Sequence, residues 1–184
     1  MTDDNQPRLT FQITNSEAFY NKLLQEYADF DKQHLNPRHA INCSITSWHL
    51  IDWTFQEYNS YHPAFQDSEK IDPKGCIHKI SGLLKYQQHL LKKCPELELM
   101  KLIANGSQYC ILKDKNRFKE TTIRAGDFST DFSRHNFQVP RFEIKISDSV
   151  TIDFEKTFLV TLAFWGKLIA KNKKQTEGAE IVQQ

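Results

Sequence analysis

Apolar residues in the first half of the chain recur at steps of three and four, which is the period of an amphipathic α-helix. The pattern predicts four helices, over residues 16–34, 37–60, 74–94 and 95–105. Between the second and the third helix, residues 61–73 carry two prolines and several polar side chains, so this segment is predicted to be a loop. Because the second helix is apolar on more than one face, we expect it to lie at the centre of the core.

Three residues mark the ends of these helices. Ser16 is suited to cap the first helix, and Pro37 is tolerated in the first turn of the second, where the backbone N–H groups have no partner within the helix. Gly106 suits the left-handed conformation that often ends a helix, so the fourth helix is predicted to stop before it.

Beyond residue 106 the pattern changes to short segments rich in β-branched and aromatic residues, which are typical of strands. These segments are YCILKD, ETTIRA, RFEIKIS and VTIDFE. The third alternates Phe142, Ile144 and Ile146 with charged residues, as a strand with one covered face does. A fifth helix is then predicted over residues 154–174, followed by a frayed tail.

Together these elements predict an α+β protein, in which a mainly antiparallel five-helix bundle carries a small antiparallel β-sheet inserted before the last helix. No internal repeat or linker is visible, so residues 1–184 are interpreted as a single domain. The helical core takes about 16–105 and 154–174, and the β insertion takes about 107–154.

Charge and composition narrow the function classes only slightly. The chain has 24 basic and 23 acidic side chains, so it lacks the basic excess that is typical of a nucleic-acid-binding protein. It has no apolar run near the roughly 20 residues of a membrane span. Its N-terminus is acidic and lacks the basic and apolar regions of a secretion signal, so we expect a cytoplasmic protein.

The four cysteines form no CxxC pair and have no histidine nearby at the spacing of zinc ligands. In a reducing compartment, Cys43, Cys76, Cys94 and Cys110 are therefore expected to be small buried apolar residues. No metal or other cofactor is expected from this pattern.

The segment SITSWHLIDWTFQEY, within the second helix, carries the first candidate chemistry. Asn42, Thr46, His49, Asp52 and Trp53 fall on one line at helical spacing, so the Asp52 carboxylate could orient the His49 imidazole as in a general base. The alternative is structural, because a helix packed on several sides must pair the polar groups that it buries.

No Ser or Cys nucleophile completes a triad with His49 and Asp52, although Cys43 and Ser44 lie near them in sequence. A metal site would need at least one further ligand, for which His78 and His89 on the predicted third helix are the candidates.

Two stretches of the chain resemble a group of uncharacterised bacterial proteins, in which a helix with a WHLxDW segment precedes a CPxL…ANGxKH segment and a β-rich extension. The stretches are AINCSITSWHLIDW and CPELELMKLIANGSQY. This resemblance implies no particular activity.

At a greater distance, the helical bundle is similar to HEPN domains, many of which are RNases of toxin and antiviral systems. Their motif of Arg, a polar residue, a few others and then His falls on Ala104, Asn105 and Tyr109, so only Asn105 matches. The resemblance therefore implies a HEPN-like core that lacks this RNase activity. Asn105 also has a structural explanation, because Asn before Gly is common at the end of a helix.

Basic residues concentrate in one place, near the end of the chain, at Lys167, Lys171, Lys173 and Lys174, where a solvated helix face is the simplest interpretation. The segment 107–154 interleaves aromatic and basic residues, which can stack on single-stranded bases, but its charge is balanced. Nucleic acid is therefore a lower-ranked partner.

The first hypothesis for function is a non-catalytic interaction or ligand-binding protein, linked through the HEPN-like resemblance to a bacterial toxin or defence system. Its expected partner is a protein or a nucleotide-containing ligand, and no membrane is expected to take part. The second hypothesis is an enzyme that acts on RNA or a nucleotide through His49, Asp52 and Asn105. The enzyme requires these side chains to converge on solvent, whereas the first hypothesis predicts that they are buried and mutually paired.

Overall fold

The computed structural model describes residues 11–108, 120–130, 132, 138–147 and 149–181, with side chains up to residue 175 in the last range. In these parts of the chain it has five α-helices and two antiparallel sheets. The helices are α1 (Ser16–Lys32), α2 (Pro37–Thr54), α3 (Gly82–Lys93), α4 (Leu97–Gln108) and α5 (Phe154–Ile181).

The five strands form a two-stranded hairpin and a three-stranded sheet. They are β1 (Ser68–Ile71), β2 (Ile77–Ile80), β3 (Glu120–Arg124), β4 (Arg141–Lys145) and β5 (Thr151–Asp153). The order of the larger sheet is β3-β4-β5, with Ile144 opposite both Thr121 and Ile152. The predicted α+β class, with a small sheet before the last helix, is confirmed, whereas the predicted strand over residues 109–114 lies outside the described residues.

The start of α1 differs by one residue from the prediction. Asn15, not Ser16, is the capping residue, and its side-chain oxygen accepts a hydrogen bond from the Ala18 backbone N–H at 2.8 Å. Ser16 is instead the first helical residue and is buried, and its backbone N–H donates to the Glu57 carboxylate at 2.6 Å. The prediction for Pro37 is confirmed, since it lies in the first turn of α2 behind the capping residue Asn36.

The loop and helix predicted over residues 61–94 are partly wrong, because β1 and β2 form a hairpin there and α3 begins only at Gly82. A tight turn over Asp72, Pro73, Lys74 and Gly75 joins the strands, with the Gly75 N–H donating to the Asp72 carbonyl at 2.9 Å. Gly75 has a φ of +82°, which a glycine adopts without steric cost. The geometry of this turn prevails over the helical spacing of the apolar residues around it.

The predicted end of the fourth helix is also wrong. α4 runs through Gly106 to Gln108, so Asn105 lies within the helix and not at its terminus. Gly75 is the glycine with positive φ among the described residues, and Gly106 therefore has no left-handed conformation. A glycine inside a helix costs up to about 1 kcal/mol relative to alanine, which packing of the apolar face of α4 offsets.

The core lies where α1, α4 and α5 surround α2, and β4 covers one end of α5 through the fully buried Ile144. Trp165 and Phe158 of α5, Leu23 of α1 and Leu50 of α2 are completely buried in it. The expectation that the second helix is central is confirmed. None of the helices in the described part of the chain has the length and apolar character that crossing a membrane requires.

Candidate functional site on the outward face of helix α2

Neighbouring helices cover α2 on three sides. Trp53 stacks on Phe19 of α1 with ring centroids 4.9 Å apart, and the ammonium of Lys101 of α4 lies 5.4 Å from the centre of the Trp48 ring. On the side of α5, Ser47 is in contact with Trp165. The remaining side faces solvent and is the candidate site predicted from the sequence.

His49 and Asp52 lie on this solvent-facing side, but they do not form a buried pair. His49 is exposed and Asp52 is half-buried, and no hydrogen bond joins the two side chains within the described part of the chain. Burial raises the pKa of the Asp52 carboxyl above its ordinary value, and the nearby His49 imidazole opposes that rise. The first hypothesis predicted that these residues are buried and mutually paired, and this prediction is wrong because His49 is exposed.

The predicted line of five residues along α2 is divided by the packing of α1. Thr46 is buried, and its hydroxyl accepts a hydrogen bond from the Lys22 ammonium at 2.7 Å, while Trp53 lies under Phe19. Asn42 is half-buried on the same side as His49. Helical spacing shows that these residues are neighbours, but it does not show that α1 covers part of the line.

Asn105 lies half-buried on α4, which packs against α2. No hydrogen bond among the described residues connects it to His49 or Asp52. Ala104, at the position of the HEPN arginine, is only 7% exposed and belongs to the core, while Tyr109 lies outside the described residues. An arginine at position 104 would place a guanidinium group among apolar side chains.

The two histidines considered as further metal ligands lie on different elements. His78 is on β2, not on a helix, and its Nε2 lies 3.1 Å from the Asp72 carboxylate. His89 is on α3, where its ring contacts Phe65 at 5.4 Å, and burial together with the nearby Lys93 and Lys92 lowers its pKa. In the described part of the chain, no group of three or more His, Cys, Asp or Glu side chains is arranged to hold a metal ion.

The cysteines divide into two kinds. Cys43 and Cys94 are buried, as expected, and burial is the main cause that raises the pKa of each thiol to about 12. Cys76 is exposed next to the hairpin turn, so the expectation of burial is wrong for it because the segment is not helical. Cys110 lies outside the described residues.

Two further buried polar residues of α2, Ser47 and Thr54, lie away from the side that carries His49. The Trp165 indole N–H donates to the Ser47 hydroxyl at 3.1 Å, and both residues are fully buried. About two turns further along α2, the Thr54 hydroxyl accepts a hydrogen bond from the Tyr86 hydroxyl at 3.3 Å. Sequence reasoning missed these residues, although small hydroxyl side chains seven positions apart in an apolar helix were an available signal.

A second feature that the sequence reasoning missed is the β1–β2 hairpin of residues 68–80, called the arm below. Every residue from 69 to 79 is exposed except Asp72, which is half-buried. The arm carries Ile71 and Ile77 opposite each other beside its turn, and they are 66% and 62% exposed. The signal that could have revealed it is the turn sequence DPKG between the strand-like segments SEKI and IHKI.

Contacts at its base attach the arm to α3. The Gly82 N–H donates to Asp67 at 2.7 Å, and the Lys85 ammonium donates to the Gln66 carbonyl at 2.6 Å. The Phe65 ring packs edge-on against Tyr86 at 5.1 Å. The base of the arm is therefore fixed to the helical core, while its far end is surrounded by solvent.

Comparison of the chain with protein-family models, curated proteins and solved structures gives no match. The resemblances inferred from the sequence accordingly stay predictions.

Proposed function

We propose that the protein acts by binding a partner protein through the arm, without catalysis of its own. The observation that carries this proposal is the arm itself, which extends from the core with both faces exposed and an isoleucine pair near its turn. It deepens the first hypothesis from the sequence by naming the surface that makes the contact.

The physical argument concerns the stability of such a hairpin. A two-stranded hairpin is at best marginally stable in water, and its outer edges offer unpaired backbone groups to another strand. Fully burying an isoleucine side chain stabilises a protein by roughly 1.5–3 kcal/mol. Since Ile71 and Ile77 are about two-thirds exposed, covering both would contribute about 2–4 kcal/mol. A partner that covers this end of the arm would supply that contribution.

The HEPN-like kinship forms part of the same proposal. The proposed role beside a bacterial toxin or defence protein rests only on this resemblance, which is carried by Asn105 and the helical bundle. It is compatible with a binding protein, since the chain lacks the Arg and His of the RNase motif.

The experiment compares the wild-type protein with the double variant Ile71→Thr, Ile77→Thr, in which threonine keeps the preference for strands and removes the apolar contact. The matched control replaces two exposed aliphatic residues elsewhere, Leu24→Gln and Val160→Gln. Each tagged protein is used to recover partners from an extract of its native cells. We expect one protein to bind the wild type and the control but not the arm variant.

A shorter arm provides a second test. Ser68 and Ile80 are opposite each other in the register, so residues 69–79 can be replaced by Asn-Gly, which closes a two-residue hairpin turn. We expect this variant to keep the far-UV circular dichroism of the helical core, because the arm contributes no helix. If the shortened protein still binds the recovered partner with unchanged affinity, the arm is not the binding surface and the proposal fails.

A second candidate is the enzyme acting on RNA or a nucleotide, and the exposure of His49 beside the partly buried Asp52 favours it. Its test is cleavage of a mixed-sequence RNA and of nucleoside triphosphates by the wild type and by His49→Ala. Turnover that is lost in the variant would support the enzyme over the binding protein.

A further inference from the structure

The outer face of α5 carries lysines at helical spacing. Lys167, Lys171 and Lys174 are exposed at steps of four and three, and Lys156 lies on the same face three turns earlier. At a rise of 1.5 Å per residue, Lys167 and Lys174 are about 10 Å apart along the helix axis. We call Lys167, Lys171 and Lys174 the lysine stripe.

The positive charge of the lysine stripe is not neutralised by the side chains that the structure describes. No carboxylate oxygen of the described side chains lies within 4.0 Å of any of its three ammonium groups. Among the side chains that the structure describes, the acidic groups near α5 lie on other faces: Glu17 pairs with Lys173 at 3.0 Å, and Glu155 accepts a hydrogen bond from Tyr27 at 3.1 Å. Within this described part, the stripe is a local basic surface on a chain with a net charge of only +1.

The exposed apolar residues between the lysines are small. They are Val160, which is 48% exposed, Ala163 and Ala170, whereas the larger Phe164 is half-buried and packs against the core. A protein interface is normally centred on a buried aromatic or large side chain, and a helix that lies in a membrane surface needs large apolar residues opposite its lysines. Contact with a phosphate backbone needs neither, because it requires only positive charges within reach of the phosphates.

We propose that the lysine stripe binds the phosphate backbone of nucleic acid without reading its sequence. The binding is electrostatic, so it depends on salt through the number of phosphate contacts. This inference is independent of the arm, which lies on a different part of the chain.

The probes are a fluorescein-labelled 20-nucleotide oligo(dT) and a labelled 20-base-pair DNA duplex, measured by fluorescence anisotropy. With three contacts, the slope of log K against log salt is about −2.1 for the single strand and about −2.7 for the duplex. Affinity for the single strand therefore falls about 18-fold between 50 and 200 mM salt.

The test variant is Lys167→Gln, Lys171→Gln, Lys174→Gln, and the control is Lys32→Gln, Lys92→Gln, Lys93→Gln, which has the same net charge. Glutamine keeps the helix propensity of exposed lysine positions, and circular dichroism checks that both variants are folded. We expect the stripe variant to lose binding at least tenfold at 50 mM salt and to lose its salt dependence, whereas the control changes less than threefold.

Three results would overturn the proposal. The first is absence of oligonucleotide binding by the wild type at 50 mM salt. The second is an equal loss in both variants, which would show an effect of net charge alone. The third is binding to vesicles of phosphatidylserine without binding to either oligonucleotide, which would identify an anionic membrane as the partner of the stripe.

Discussion

Replacing Ser47 by alanine tests the contact between α2 and α5. The Ser47 hydroxyl accepts the hydrogen bond of the Trp165 indole N–H at 3.1 Å, and both side chains are 0% exposed. Alanine removes the acceptor and leaves a buried N–H group without a partner. Because water cannot reach this group, the full cost of its desolvation falls on the folded state.

The magnitude follows from the burial of the indole. A buried donor left without an acceptor costs about 1–3 kcal/mol, and the loss of one oxygen atom creates almost no cavity. The bond from Ser47 to Thr161 adds little, since it is long at 3.4 Å. We therefore expect Ser47→Ala to lower the free energy of unfolding by about 2 kcal/mol, which corresponds to a fall in Tm of about 4–8 °C for a chain of this size.

The assay is urea unfolding followed by far-UV circular dichroism, with Ser44→Ala as the matched control. Ser44 is equally buried, but its hydroxyl donates to the Ala40 carbonyl within α2, so its removal leaves no donor unpaired. The control should cost less than about 0.5 kcal/mol. A second control repeats Ser47→Ala in a Trp165→Phe background, where the N–H group is absent and the cost should fall to that of Ser44→Ala.

Equal stability of Ser47→Ala and Ser44→Ala would refute this reasoning. So would an undiminished cost of Ser47→Ala in the Trp165→Phe background, because the destabilisation would then not arise from the indole N–H.

Three further predictions concern the exposed side of α2 and the arm. His49→Ala should change the free energy of unfolding by less than about 0.5 kcal/mol in urea unfolding, because the side chain is exposed; a loss above 1 kcal/mol would indicate a structural role. Burial raises the pKa of the Asp52 carboxyl above its ordinary value of 3.8, so the folded state binds this proton more tightly than the unfolded state does. The folded state therefore loses stability as the pH rises from 3.8 through the raised pKa of Asp52. Asp52→Asn should therefore unfold at a higher urea concentration than the wild type at pH 7, and this gain should vanish below pH 3.8; an unchanged midpoint at pH 7 would contradict it. Cys76→Ser should remove one equivalent of the thiol that reacts rapidly with Ellman's reagent in the native protein, whereas equal titres would show that Cys76 is protected.

Much of the helical core could be predicted from the sequence, because apolar residues at helical spacing show which side of a helix is buried. α1, α2 and α5 lie close to their predicted positions for this reason. The same rule failed near the arm, where Ile77 and Ile80 continue the spacing of Leu83 and Leu84 although Ile77 faces solvent. The turn residues Asp72–Gly75 determine that this segment is a hairpin, and a rule based only on the spacing of apolar residues takes no account of turn residues.

The candidate site was predictable only in part. Helical spacing places His49 and Asp52 on the same side of α2, and the structure agrees that they are neighbours. Which side of the helix stays open depends on where α1 and α4 pack, and a contact such as Lys22 with Thr46 joins residues 24 positions apart. Such contacts between helices leave no periodic pattern in the sequence.

The packing of α5 also determines when the core can form during synthesis. Tyr27 of α1 contacts Glu155 and Phe158 of α5, and it is 128 residues from Glu155 in the chain. At a synthesis rate of 5–20 residues per second, Tyr27 is synthesised about 6–26 s before Glu155. During that interval the apolar faces of α1 and α2 that meet Phe158 and Trp165 are uncovered. The nascent chain is therefore most open to chaperone binding until its last helix has been made.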